Sequence, residues 1–385
     1  MLIVLMAALA LLTVLALYLL LKQRNMHLWI GNYLFRSRQP VAGEPVHILF
    51  CFVDHYEPQW GKASLDQEQA RVARWCRDYP AMASRHADAE GRPPQHTFFY
   101  PEEEYRQEHL ENLAQLCEQG YGEVEIHLHH DNDTADGLRE KLSRFLRTLD
   151  EQHGLVPRHG DGRYAWSFIH GNWALDNSRA DGRWCGVNNE LAVLAEQGCY
   201  ADFTLPSAPS DTQTATVNSL YYAKGRDGQC KSHNHGVPVT VGGKPVGDLM
   251  IIQGPLMLNW KQRKWGLMPR IENSDIRRSM PPTPERVDLW VKAGITVSGR
   301  PDWLFIKIHT HGTQDGDMDT LLGEPVDAMH DYLESRYNDG VNYALHYVTA
   351  REMYNIARAA EAGEQGNPSR FRDYVIAPPP RLARR

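Results

Sequence analysis

The chain has 385 residues, 42% apolar and 23% charged, with a formal net charge of -7. That balance carries no basic excess and excludes nucleic acid as a partner, while the length suits one large barrel or two modest domains. Eighteen histidines favour metal or proton chemistry.

The first element is an anchor. From Leu2 to Leu21 no residue is charged. A helix of that length rises about 30 Å, the thickness of a bilayer core. No small-residue cleavage site precedes Lys22, so residues 1–21 are expected to be a retained single-pass membrane anchor rather than a signal peptide. No Lys or Arg precedes the run, whereas Lys22, Arg24, Arg36 and Arg38 follow it, which predicts a body on the cytoplasmic face. The six cysteines have no paired spacing, which fits a reducing compartment without requiring one.

Residues 22–45 are expected to be a juxtamembrane linker. From residue 46 strands and helices alternate. VHILFCFVD (46–54) is an apolar β-rich run; SLDQEQARVARWCRDYPAMA is a helix with Ser64 as N-cap and Gln67 completing a capping box. HTFFYP (96–101), EVEIHLHH and YAWSFIHGNW are further strands, separated by helices that end near Gly120 and Gly154; NNELAVLAEQGC is another helix. Such units imply a parallel sheet covered by helices, and the fold class expected over 46–361 is α/β, a distorted (β/α) barrel. Residues 207–282 break the rhythm and are expected to be an insertion, with a hairpin around Gly242-Gly243. Thr283-Pro284 starts a helix, WLFIKIH (303–309) is a strand, helices follow at about 317–336 and 348–361, and the tail 362–385 is expected to be loosely ordered. No internal repeat is present.

Side chains alternate across a strand. Val124, Ile126 and Leu128 therefore share one face, and Glu125, His127 and His129 the other; Phe305, Lys307 and His309 likewise oppose Leu304, Ile306 and Ile308. The apolar faces belong against helices, which turns the histidines inward, and VHILFCFVD ends in Asp54-His55. Three strand ends thus carry His and Asp to one rim, the C-terminal rim where barrels of this type hold their sites. His129, Asp133 and His55 or Asp54 form a nitrogen/oxygen donor set suited to one divalent transition metal, Zn first, with Co, Ni or Fe also fitting. A helix N-cap is the ordinary role of Asp131-Asn132-Asp133-Thr134, and the two roles are compatible. His233 and His235 are expected to be cover rather than a second metal site.

With these residues the chain resembles the polysaccharide deacetylases, the NodB-homology or carbohydrate esterase group, over most of 46–312. The family's strand followed by T-F-D-D-G is similar to Phe52-Val53-Asp54-His55-Tyr56, its E-I-G-x-H-x-x-x-H to residues 125–133, its L-A-E-L-G-Y-x-Y-D-S-S to residues 194–207 with Asp202 in place, and its strand ending L-x-H to Ile306-Lys307-Ile308-His309. The resemblance implies a distorted barrel of that type, Asp54 as catalytic base, His309 as catalytic acid, and His55, His129 and Asp133 as metal ligands. His55 and Asp133 replace the family's Asp and His. The R-x-P-Y motif has no counterpart; the nearest segment is Ser167–Trp173, without Arg.

The implied activity is metal-dependent removal of an acyl group, N-acetyl first, from a polysaccharide or a lipid-linked glycan in exopolysaccharide or envelope synthesis. Trp60, His170, Asn172, Trp173, Asp202, Lys307 and His311 are the expected substrate-side residues, the tryptophans as stacking platforms. Two other readings are a non-catalytic, membrane-tethered sugar binder or assembly factor on the same fold, and a glycosidase pairing Asp54 or Glu57 with Asp202.

Overall fold

The computed structural model describes residues 1–37, 40–226 and 228–384; Arg38, one of the cations flanking the apolar run, lies outside them. The run itself forms helix α1 (Leu2–Lys22), none of whose residues is buried against the body. It is long and apolar enough to cross a membrane. The segment after it is no loose linker. A 3-10 turn (Met26–Leu28) and α2 (Ile30–Phe35) bury Met26, Trp29 and Tyr33 in the core, and Arg36 donates to the carbonyls of Asn218 and Ala293 at 2.6 and 2.8 Å.

The body alternates as its periodicity predicts: β1 (Val46–His55), α3 (Leu65–Ala83), β2 (His96–Pro101), α4 (Gln107–Glu118), β3 (Gly122–Leu128), α5 (Ala135–Glu151), β4 (Trp166–His170), α6 (Glu190–Glu196), β5 (Cys199–Asp202). Ser64 and Gln67 make the expected capping box, and Thr134 caps α5. Strands β6 (Leu220–Ala223), β7 (Val237–Pro238) and β8 (Leu249–Ile252) follow, then the hairpin β9 (Met257–Lys264) and β10 (Met268–Glu272), and β11 (Asp275–Ile276). The chain closes with α7 (Pro284–Ala293), β12 (Trp303–Thr310), α8 (Asp315–Leu321), α9 (Glu324–Tyr337), β13 (Tyr343–Val348) and α10 (Ala350–Ala362).

The main sheet has the order β11-β12-β1-β2-β3-β4-β5-β8-β6-β7, with β13 also paired to β1, and is parallel except around β6. Along β1, residues 46–51 lie between β12 and β13, and residues 52–55 pair with β2 where β13 stops. The sheet curls so far that Lys307 Nζ of β12 donates to the carbonyls of Phe203 and Leu205 beyond β5, at 2.8 and 2.6 Å. Yet among the described residues no ladder joins its ends. The expected barrel is therefore an open, curled, mostly parallel sheet.

Its faces match the alternation. Ile48, Phe50, Phe52, Val124, Ile126, Leu128, Leu304, Ile306 and Ile308 pack outward against the helices. Leu49, Cys51, Val53, Ile169, Phe203 and Phe305 fill the concave side, which α10 and the α1–α2 segment cover.

Three further expectations are corrected. Segment 207–282 is not all insertion: β8 is a run of four buried apolar residues because it lies between β5 and β6. The turn at Gly242-Gly243 makes no hairpin, since β7 pairs with β6 and not with β8. The tail is pinned, with Ile376 and Leu382 buried and Arg372 paired to Asp88 and Glu352. The sheet's margins are short: β7 and β11 have two residues each, and β13's free edge is covered by Asp88 and Ala89, which bond to Tyr347 N and Leu345 O.

Candidate metal centre

Three strands deliver histidine or glutamate at an i, i+2 spacing to one rim. β1 ends in His55, with Glu57 two residues on; β3 supplies His127 and His129; β12 supplies His309, with His311 just beyond. Strand β2, between β1 and β3, runs into a 3-10 turn that presents Glu103.

Glu57 is the hub. One carboxylate oxygen lies 3.3 Å from His127 Nε2 and 3.0 Å from His129 Nε2; the other lies 3.0 Å from His311 Nδ1. The His55 ring packs between, its centroid 4.7 Å from that of His127 and 4.5 Å from that of His311. His55, Glu57 and His127 are buried, and ligand atoms of all three come within 4.8 Å of one another.

The protons decide what this arrangement wants. His127 Nδ1 donates to the carbonyl of Ile169 at 2.9 Å, so its Nε2 carries a lone pair. His129 Nδ1 donates to Glu103 at 2.6 Å, and the two carboxylates on either side of the ring put a second proton on Nε2, toward Glu57. The His127 lone pair then faces the Glu57 carboxylate, an arrangement that repels unless a proton or a cation lies between. Burial raises Glu57, but its close polar contacts with His127, His129 and His311 outweigh it and hold the carboxyl well below its usual range. Burial lowers His129, but Glu103 and Glu57 override it and lift the imidazole to about 10. Burial holds His55 and His127 below the ordinary imidazole value. A cation would replace such protons, and imidazoles oriented by a carboxylate or carbonyl behind them are the usual support of a metal site. His55 Nδ1 is buried without a partner. The set fits a borderline divalent cation of the Zn, Co, Ni or Fe kind.

The loops around the hub are tied to each other. Thr313 Oγ1 donates to the carbonyl of Glu57 at 2.5 Å, and Trp75 Nε1 to the carbonyl of Gly312 at 2.9 Å. Asp54 belongs to this framework. It has the parity of Phe52, faces the helices, is fully buried, and accepts from His96 Nε2 at 3.0 Å and Gly312 N at 2.5 Å. The rim opens at His129 and His311, whose side chains are 31% and 21% exposed. Trp60 and Trp173 flank it, with ring centroids 6.2 and 6.3 Å from His311.

Of the residues expected from the sequence, the structure brings His55, His129, His311, Trp60 and Trp173 together. His309 is on the inward face, buried, with Nδ1 unpartnered, and burial keeps it neutral. Asn172 is half-buried beside Trp173. Asp133 does not reach His55 or His129; it accepts from Lys141 at 2.6 Å and lies 3.1 Å from His130. Asp202 spends both oxygens on Thr204, at 3.0 and 2.7 Å, and Lys307 ties the sheet across its interior. His233 is buried, with neither ring nitrogen hydrogen-bonded.

His170 falls in a second group, with His130, Cys185 and Glu190. Glu190 takes His130 Nε2 at 3.0 Å, Asp176 N at 2.6 Å and Cys185 Sγ at 3.4 Å. His170 Nδ1 accepts from Asn172 N at 3.2 Å, which leaves its proton on Nε2, 3.9 Å from Glu190. Burial opposes a charge on His130, but Glu190 and Asp133 raise it to about 9. This group closes on itself as a protonated ion-pair network, and all four of its members are buried, without the open rim of the first.

Glu57, His127 and Glu103 are the members that the family motifs do not point to. The signal for the first two is the repeated spacing H-x-E, H-x-H, H-x-H at three strand ends; nothing local marks Glu103. No protein-family model matches the chain, and no curated protein matches it.

Proposed function

We propose that the chain is a membrane-anchored, divalent-metal-dependent hydrolase that removes an acyl group, N-acetyl first, from a glycan. The observation that carries it is the Glu57 carboxylate gathering the Nε2 atoms of His127 and His129 on one oxygen, with His55 beside them, at an open rim. A divalent ion held there would polarise an acyl carbonyl and activate water. His55, Glu57, His127 and His129 would hold it, with Glu103 and the Ile169 carbonyl orienting the imidazoles. Trp60 and Trp173 suit sugar rings at the mouth. Asp54, with its oxygens spent on His96 and Gly312, serves as a positioning residue for the 311–313 loop, and proton transfer falls to solvent-facing His311.

The anchor reading rests on α1's length, its lack of charge and its unburied side chains, with Lys22 and Arg24 at the end entering the body. Those cations favour a body on the cytoplasmic face, within reach of a lipid-linked or nascent glycan.

Asp54's closure favours a second reading, a glycan-binding protein without turnover, because the resemblance assigns that residue the base. Elemental analysis of the purified full chain and acetate release from N-acetylated oligosaccharides separate the two. About one transition metal per chain, lost in Glu57→Gln and His127→Ala, together with acetate release, is the expected result. Metal without acetate supports the binder; no metal after reconstitution with Zn, Co or Ni overturns the hydrolase and favours the binder.

A further inference from the structure

We infer that the β9–β10 hairpin is a second membrane contact, seated in the headgroup layer of the bilayer that α1 enters and selective for anionic lipids. It rests on the reading of α1 as an anchor.

Among the described residues the two strands pair only with each other. Met257 and Leu258 are buried at the base, and every residue from Trp260 to Leu267 is exposed. Trp265 at the tip is 85% exposed, Leu267 77% and Trp260 56%. Trp265 has φ 51°, a turn position where Gly or Asn ordinarily stands. A bulky aromatic held in a disfavoured conformation with its ring in solvent points to a use outside the fold. Lys261, Arg263, Lys264 and Arg270 are exposed around it, while the hairpin's single carboxylate, Glu272, is buried and spent on Arg286 and Trp290.

Position selects the partner. Leu20, Gln23 and Arg24 share the walls of one cavity, about 460 Å³, with Lys264, Trp265 and Arg270, and among the described residues no acidic side chain lines it. Leu20 lies in the last turns of the apolar helix, so Trp265 lies at the depth where the span ends. Indole rings favour that interfacial layer, and Lys and Arg beside a span favour anionic headgroups. Helix α2 adds Leu34 and Phe35, 59% and 86% exposed, and its Tyr33 lines a neighbouring cavity with Trp260 and Lys261. The face around Trp265 is continuous with the anchor and opposite in charge to an anionic leaflet, while Glu285 and Asp288 enter only the cavity beside Trp260.

The test uses the full chain in nanodiscs of phosphatidylcholine with brominated acyl chains, with and without phosphatidylglycerol, reading tryptophan quenching. Wild type is expected to be quenched, more so with phosphatidylglycerol. Trp265→Phe should lose a clear part of the quenchable signal while its far-ultraviolet circular dichroism and thermal midpoint stay unchanged. Arg263→Glu with Lys264→Glu should abolish the phosphatidylglycerol dependence. Equal quenching of wild type and Trp265→Phe, with the chain still in the disc, overturns the hairpin contact and leaves the anchor standing. Failure of the chain to enter discs overturns both. Quenching indifferent to phosphatidylglycerol in wild type overturns the selectivity.

Discussion

Glu57 gathers three imidazoles on two oxygens, and Glu103 stands behind one of them. Removing a carboxylate that orients a ligand histidine typically costs 10–100-fold in metal affinity. Glu103→Ala is therefore expected to weaken metal binding by about that factor with no change in fold, read by competition with a chelating dye. Asp54 separates two roles. A general base contributes about 10²–10⁴-fold, so its loss would be severe. As a framework acceptor it predicts a different result. Asp54→Asn should keep its metal, lose less than about tenfold in turnover, and lose about 1–3 kcal/mol of stability from the disturbed bonds to His96 and Gly312. Acetate release and urea unfolding on one preparation decide between them. The family motifs directed attention to Asp54 because it ends an apolar strand. They could not reveal that its parity points it at the helices, one residue out of phase with His55.

At the scale of elements, the strands were legible because their inward and outward residues alternate so regularly. Val124, Ile126 and Leu128 pack on helices and His127 turns inward, as alternation requires. Strand β13 escaped because YALHYV is short and its partner, β1, lies far away in sequence. The long helix expected at 317–336 is two helices, broken at Gly323 ahead of Pro325. Helix α9 brings His330 against Phe50 and Tyr347, and burial depresses this imidazole to about 3, so it is neutral in the fold. Unfolded, it titrates near 6.5. Its contribution to stability is thus intact above 6.5 and lost as the pH falls from there toward 3. His330→Phe removes that loss. Thermal midpoints should show the variant gaining on wild type at pH 4.5 relative to pH 7.5; a constant difference would contradict the assignment.

For the molecule as a whole, what local sequence could not convey is how distant segments close the body. Arg351 is the clearest instance. It is fully buried at the start of α10, donates to Glu123 of β3 at 2.8 Å, and reaches Asp373 and the Ile376 carbonyl of the tail, each at 2.7 Å. Composition reads the tail as loose, because Pro, Arg and Gly dominate it; its order comes from these long-range bonds. Stripping one partner from a buried ion pair costs about 3–5 kcal/mol, so Arg351→Ala should lower the urea midpoint markedly and expose the tail to proteolysis. Glu123→Gln should give a smaller loss, since the amide oxygen still accepts.

The margins of the sheet have a bearing on how such chains coexist. An unpaired strand edge is a template onto which another chain can add, and long apolar edges seed aggregation. Here two margins are two residues long, one of them ending in Pro238, and the third is stoppered by Asp88 and Ala89. Were α1 to anchor the chain as proposed, neighbours would share a plane and an orientation, which favours edge-to-edge growth. Among the described residues, the blunted margins of the main sheet leave a neighbouring copy few free amides to add onto.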